Sequence, residues 1–259
     1  PMWSGVRGRD FIRRTFRDLI PERRANPGDD FFSQMCTAKD EDGRVWSDDD
    51  IVKHFNFLLL AAHDTTATTL TAIAHMLGEH PEWQDVVAAE AEAIGEGHIT
   101  LADLAGMEQT NRVIKEALRL IPPVPYVPRR VMRDFDWHGY HIPAGAEISL
   151  NPGVTMLSQE LFSNPTEFDP DRFSPARAED QVHRFAWAPF GGGPHKCIGM
   201  HFATMQIKLF FIALLRTSRL ELANRKPIEW QRMPIPKPNG GLPVKLRNKA
   251  AKTVLQQAA

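Results

Sequence analysis

Cysteine is scarce in this sequence: only Cys36 and Cys197 occur in 259 residues. That excludes a disulfide-stapled secreted scaffold and a four-cysteine zinc site. One bridge between two such distant residues is the poorer reading, which points to a reducing, intracellular setting. An excess of charge of one sign is lacking too, with 31 basic against 32 acidic residues and a formal net charge of −1. So balanced a chain has no field that would draw it to nucleic acid or a membrane surface. The longest apolar runs, 57–62 and 209–215, are far too short to cross a bilayer, so no membrane segment is expected within the chain. No signal-peptide pattern opens it, and a cytoplasmic location is expected. The first residue is Pro1 rather than methionine, which leaves an upstream anchor open. Internal repeats and low-complexity tracts are also missing. What is present is 42% apolar and 24% charged, enough to bury a sizeable core, so function must come from a local site.

The first half is helical in pattern. Residues 6–19 form a charged amphipathic stretch that Pro21 should end, followed by a Pro/Gly-containing loop over 24–30. Ser47 with Asp50 three residues later resembles a capping box, and no Pro or Gly then interrupts until Gly78. A helix over about 47–78 would be about 45 Å long. Its middle, 55–60, is apolar nearly all round and is expected to be buried on most sides. Further helices are predicted over 81–94, with Pro81 in the first turn, and as two segments within 101–120, the second stopping at Pro122 and Pro123. From Val127 to Leu150 the texture becomes short strands with turns at Trp137-His138-Gly139 and Pro143-Ala144-Gly145. Residues 164–194 are long and irregular, which is uncommon unless functional. A final helix over about 199–215 precedes a tail whose Asn239-Gly240-Gly241 reads as a hairpin. The expected class is mainly α with small β sheets.

The strongest local signal is Phe190-Gly191-Gly192-Gly193-Pro194-His195-Lys196-Cys197-Ile198-Gly199. Three glycines and a proline make a tight loop that lets backbone approach a flat ligand closely. Cys197 sits just before an apolar helix, where unpaired N–H groups favour an anion and hence the thiolate. A thiolate in such a nest suits an axial haem ligand, since sulfur electron density promotes O–O cleavage. A buried cysteine in a Gly-rich turn is the bland alternative, and a Cys197/His195 nucleophilic pair a sharper one, although no orienting partner for His195 is evident.

The pattern F-x-x-G-x-H-x-C-x-G resembles the haem-binding signature of cytochrome P-450 enzymes, with His195 where the family more often has arginine. The resemblance implies a P-450-like α+β fold and haem b held by Cys197, with Phe190, Gly191 and Gly199 shaping the loop. His195 would donate to a propionate, carrying charge only when protonated. Ala61-Ala62-His63-Asp64-Thr65-Thr66 is similar to the family's oxygen-activating helix motif, A/G-G-x-D/E-T-T, except that Ala62 replaces the usual glycine. Threonine in a helix is ordinarily just bonded back to a carbonyl one turn earlier. In the family reading Thr65 steadies dioxygen and Asp64 relays protons from water. Glu116-Ala117-Leu118-Arg119 is similar to the E-x-x-R motif and 168–173 to the P-x-R-F segment; on that likeness Glu116, Arg119 and Arg172 form a buried structural triad. Taken alone, Glu116 and Arg119 would be a surface helix pair. Arg129 occupies the place of a propionate-binding arginine, with Arg130 as the alternative one residue on.

By the same resemblance, 124–127 and 233–235 line the substrate cavity, and Lys196 and Lys208 belong to a basic face for an acidic redox partner. The implied reaction inserts one atom of dioxygen into a small apolar organic substrate, with electrons from a separate ferredoxin or diflavin reductase. The chain would be the C-terminal portion of a single P-450 domain: an oxygen-activating helix about 47–78, an E-x-x-R helix about 108–121, the cysteine loop 190–199 and a final helix about 199–215. A family member would continue upstream of Pro1, so an N-terminally incomplete fold is expected. The rival expectation is an inactive, haem-free fragment that keeps the motifs.

Overall fold

A computed structural model describes residues 2–224 and 226–249. They fall into two compact units, one up to Asp64 and one from Thr65 onward, with the division inside one long helix.

In the first unit, α1 (Met2–Ala25) and α2 (Phe31–Thr37) pack with the opening turns of α3 (Asp48–Glu79). Ile20, Phe32, Cys36, Ile51 and Val52 form its buried centre. The rings of Phe16, Phe32 and Phe55 close over it with centroids 4.5–5.1 Å apart. Asp30 caps α2 by accepting from the Ser33 N–H, and Ser47 accepts from the Asp50 N–H at the head of α3. Pro21 does not end the first helix, which continues to Ala25. The lost backbone bond is offset at that end by Arg24, which donates to the carbonyls of Cys36 and Trp46 and pairs with Asp48. The middle of α3 also departs from expectation, because Phe57, Leu59 and Leu60 are exposed. Within this unit the packed side chains reach only Ile51, Val52 and Phe55, and periodicity cannot say which apolar faces find a partner.

In the second unit, the remainder of α3 joins α4 (Pro81–Ala93), α5 (Leu101–Gly106) and α6 (Glu108–Leu120). Strands β1 (Val127–Arg130), β2 (Phe135–Trp137), β3 (Tyr140–Ile142) and β4 (Glu147–Leu150) come next, then the short α7 (Pro152–Thr155). Between α7 and α8 (Met200–Thr217) the described backbone is irregular apart from 3-10 turns at Pro170–Phe173, Glu179–Gln181 and Gly193–His195. The chain then forms β5 (Ser218–Leu222), β6 (Trp230–Gln231), β7 (Lys237–Pro238) and β8 (Val244–Asn248). The pairs β1–β4, β2–β3, β5–β8 and β6–β7 are all antiparallel and two-stranded. The turn between β2 and β3 has His138 and Gly139 at positive φ, the geometry a two-residue hairpin demands. The Asn239–Gly241 turn is not the tip of a hairpin, since β7 before it pairs with β6 and β8 after it pairs with β5.

The core is helical. Ala72, Ile73, Met76 and Leu77 of α3 meet Val113, Ala117 and Leu118 of α6 and Ile207, Phe211 and Leu215 of α8. Among the described residues one helical stretch, Gly193–Thr217, is long and apolar enough to cross a membrane by length and composition alone. In this structure one face of α8, with Ile207, Phe211, Ile212 and Leu215, is buried, Phe202 and Phe210 are exposed, and Arg216 donates to the carbonyls of Ala91 and Gly95.

Candidate functional site

The irregular stretch before α8 has no ladder to occupy its carbonyls, so donors must come from elsewhere. Two arginines supply them. Arg119 donates to the carbonyls of Met156, Pro165 and Glu167, and Arg172 to those of Ser163, Asn164 and Glu167. Glu116 holds both arginines: Arg119 grips its carboxylate in bidentate fashion at 2.7 and 2.9 Å, and Arg172 Nε reaches it at 3.0 Å. All three side chains are fully buried. The structure therefore brings Glu116, Arg119 and Arg172 together, one helix face meeting a 3-10 turn.

A fourth member was missed in the sequence. Glu179, partly buried, accepts from Arg172 at 2.8 Å and from Arg177, so a second carboxylate faces the buried guanidiniums. Burial pushes the Glu179 carboxyl up, but hydrogen bonds from Ser163, Arg177 and Arg172 outweigh it and hold the pKa at about 2. Glu179 sits in an irregular segment without periodicity, so no local signal marked it.

This framework anchors the cysteine loop. Trp187 Nε1 donates to the Lys115 carbonyl on α6, and the Trp187 ring meets Phe190 edge-on at 6.0 Å. From Phe190 the loop doubles back so that the Cys197 N–H donates to the Phe190 carbonyl at 2.9 Å. Gly191 has φ +69°, a left-handed conformation that other residues adopt only with strain. Cys197 is a free, exposed thiol, and Ile198 and Phe202 beyond it are exposed as well. Gly199 takes the N-cap position of α8 without a side-chain cap, which leaves the first N–H groups of that helix open next to the loop. A β-carbon added at Gly199 would stand 3.9 Å from the Cys197 sulfur, so the glycine keeps the space beside the thiol clear. Cys36 is its opposite: fully buried, not disulfide-bonded, and with its thiol pKa raised by burial.

The remaining candidates lie as follows. His195 ends the 3-10 turn and is exposed, and no hydrogen bond joins it to Cys197 among the described residues. Arg129 stands on β1 opposite Ile148; its Nη1 donates to the Pro128 carbonyl, and it forms no ion pair with a described residue. Arg130 is exposed. In α3, which stays α-helical through Ala62, the Asp64 side chain is half exposed and pairs with His63 Nδ1 at 2.8 Å. Thr65 is half-buried, and its carbonyl accepts from the Thr69 hydroxyl. Lys208 cannot belong to a basic outer face, because its ammonium is buried and bonded to the Leu104 carbonyl at 2.7 Å. It falls on the packed side of α8, whereas Lys196 in the loop is exposed.

Fold and site together define a helical protein that presents one thiol from a glycine loop braced by a buried ion network. The chain belongs to the cytochrome P450 family, whose model matches residues 7–243. It is 39% identical over 247 residues to cytochrome P450 136 of Mycobacterium tuberculosis, covering 95% of this chain and 50% of that protein. It is 34% identical to the sterol 14alpha-demethylase of Mycolicibacterium vanbaalenii, covering 80% of this chain and 48% of that protein. The retinoic-acid-bound cyanobacterial CYP120A1 superposes with a TM-score of 0.87 at 29% identity, over 94% of this chain and 57% of its own. The fold is thus the P450 fold, mainly α with small sheets, and the chain spans about half the length of the curated relatives it matches. Members of this family bind haem b and act in general as haem-thiolate monooxygenases. The residues present fit such a group: an exposed sulfur on a glycine turn at a helix mouth, apolar neighbours left open to cover a flat ring, and a guanidinium on β1 without an ion-pair partner among the described residues.

Proposed function

We propose that the protein of which this chain is a part is a haem-thiolate monooxygenase acting on a small apolar organic compound. The observation that carries the proposal is the exposed Cys197 thiol, held by its own backbone bond to Phe190 on a loop fastened to α6. In this reading haem b supplies the dioxygen chemistry: one oxygen atom enters a C–H bond, the other leaves as water, and two electrons and two protons are consumed.

The residues of the chain have separate tasks. Cys197 holds the iron, while Phe190, Gly191 and Gly199 keep the loop close and flat around it. Arg129 and His195 bind propionate carboxylates, Arg129 with permanent charge and His195 with charge only when protonated. Asp64, half exposed and paired with His63, is the carboxylate of the proton relay from water. Thr65 orders the last donor of that relay through its hydroxyl. Glu116, Arg119, Arg172 and Glu179 keep the backbone beneath the loop fixed. Segments 124–127 and 233–235 wall the substrate cavity. Retinoic acid in the cyanobacterial neighbour and the sterol in the name of the mycobacterial relative are both largely apolar, which supports that substrate class. The electrons come from a separate ferredoxin or diflavin reductase, and the protein works in the cytoplasm. The described residues form the C-terminal portion of one P450 domain.

The test is the ratio of oxygen consumed to product formed. Thr65→Ala is expected to keep haem and substrate binding while diverting electrons to free hydrogen peroxide. An unchanged ratio would remove Thr65 from the relay.

A further inference from the structure

Segment 230–236 is tied to α3 at two points, both through side chains that the proposed reaction leaves unused. Thr68 lies about one turn past Thr65. Its buried hydroxyl donates to the Pro236 carbonyl at 3.0 Å. Two turns further along α3, Trp230 Nε1 donates to His75 Nδ1 at 3.3 Å. An indole N–H can only donate, so Nδ1 is the unprotonated nitrogen and the imidazole proton sits on Nε2. That Nε2 faces Glu79 Oε2 at 3.4 Å, and burial holds the imidazole pKa below its ordinary value. The neutral ring therefore keeps Nδ1 available as an acceptor. Both ties are long-range, joining residues 168 and 155 positions apart in sequence.

Between the ties residues 231–234 are exposed. The Gln231 side chain donates to the Met233 carbonyl, Met233 is exposed, and Pro236 is buried again. His75, Trp230 and Pro236 line one cavity of about 600 Å³, together with Pro125. Pro125 is also held, because the Gly153 N–H donates to its carbonyl at 3.0 Å. Trp230, Arg232 and Pro236, which flank 233–235, thus border one space with Pro125 of 124–127, and each segment is fastened by a specific bond.

We infer that Thr68 and His75 are positioning residues for substrate selection, fixing the register of segment 230–236 along α3 and hence the placement of Met233 and Ile235 relative to the turn that carries Thr65. The inference rests on the proposed reading of 233–235 as a substrate wall.

Two measurements on the haem-loaded protein separate the clamp from that reading. The first is amide hydrogen exchange in a peptide covering 229–240. Thr68→Val and His75→Phe each delete one tie and should speed exchange there roughly fivefold, the equivalent of one net hydrogen bond. Thr68→Ser and His75→Asn, which keep a donor and an acceptor in place, should restore the slow rate. The second is the binding of 4-phenylimidazole against the bulkier bifonazole, read from the Soret shift. The two deletion variants would alter every ligand alike if they merely loosened the fold; a selectivity role requires the ratio of the two affinities to move while imidazole itself binds unchanged. Unaltered exchange in both deletion variants overturns the clamp. Faster exchange with an unaltered azole ratio overturns its part in selection. If even the unaltered protein gives no azole-induced Soret shift, the haem reading fails and selection falls with it, while the exchange rates still decide the clamp.

Discussion

Two charged clusters occupy helices of this molecule, and they are built in opposite ways. Around Glu116 both guanidinium partners are buried, Glu179 adds a second carboxylate, and the guanidiniums also satisfy the carbonyls of a backbone that has no ladder. At Asp64 the carboxylate is half exposed and shares one neighbour, His63, which is itself exposed. The first arrangement resists change because removing any member strands a buried charge. The second strands nothing, because both of its side chains already face solvent. The same contrast divides the two cysteines, one sealed in a core and one open on a loop.

The largest effect that would sharpen this contrast is expected from Glu116→Gln. It leaves two buried guanidiniums facing one carboxylate and should cost about 3–5 kcal/mol in denaturant unfolding. Asp64→Asn, by contrast, should stay within about 0.5 kcal/mol of the parent protein. Equal losses in the two variants would erase the distinction. Next comes the cysteine pair. Cys36→Ser buries a hydroxyl among Ile20, Phe32, Ile51 and Val52 and should destabilise by about 1–3 kcal/mol, while Cys197→Ser should leave the unfolding midpoint nearly unmoved. Gly191→Ala tests the loop by conformation alone. The nearest atom to an added β-carbon is the His195 carbonyl oxygen at 3.7 Å, so the expected cost of about 1–2 kcal/mol comes from positive φ and not from a clash.

The smallest effect concerns acid. The Glu179 carboxyl is held at about 2 against an ordinary 4.5, so its contribution is complete above pH 4.5 and fades as the pH falls toward 2. In Glu179→Gln the acid limb of the stability curve should flatten across that window. An unchanged slope would mean that the quartet does not feel the proton.

Much of this architecture was legible because some residues carry a signal independent of context. Gly191 and Gly193 announce a turn, the clean run from Ser47 to Gly78 announces a long helix, and the spacing of Glu116 and Arg119 puts both on one face. What stayed hidden depends on partners far away in sequence. Pro21 reads as a stop, yet Arg24 secures the turn beyond it through three contacts from 36–48. Phe57 and Leu60 read as core, yet apolar character does not create a neighbour. Lys208 reads as surface, yet one carbonyl at Leu104 lets it be buried. Glu179 and His75 carry no motif at all; their roles come from what folding brings against them. The Asn239–Gly241 turn shows the same limit, since a local bend cannot say which strands its arms will join.

The most direct test is the absorption spectrum of the haem-loaded, reduced protein under carbon monoxide. A red-shifted, thiolate-type Soret band is predicted for the parent protein and for Cys36→Ser, and its loss for Cys197→Ser. A thiolate band that survives in Cys197→Ser, or free-haem absorption in the parent protein, would contradict the account.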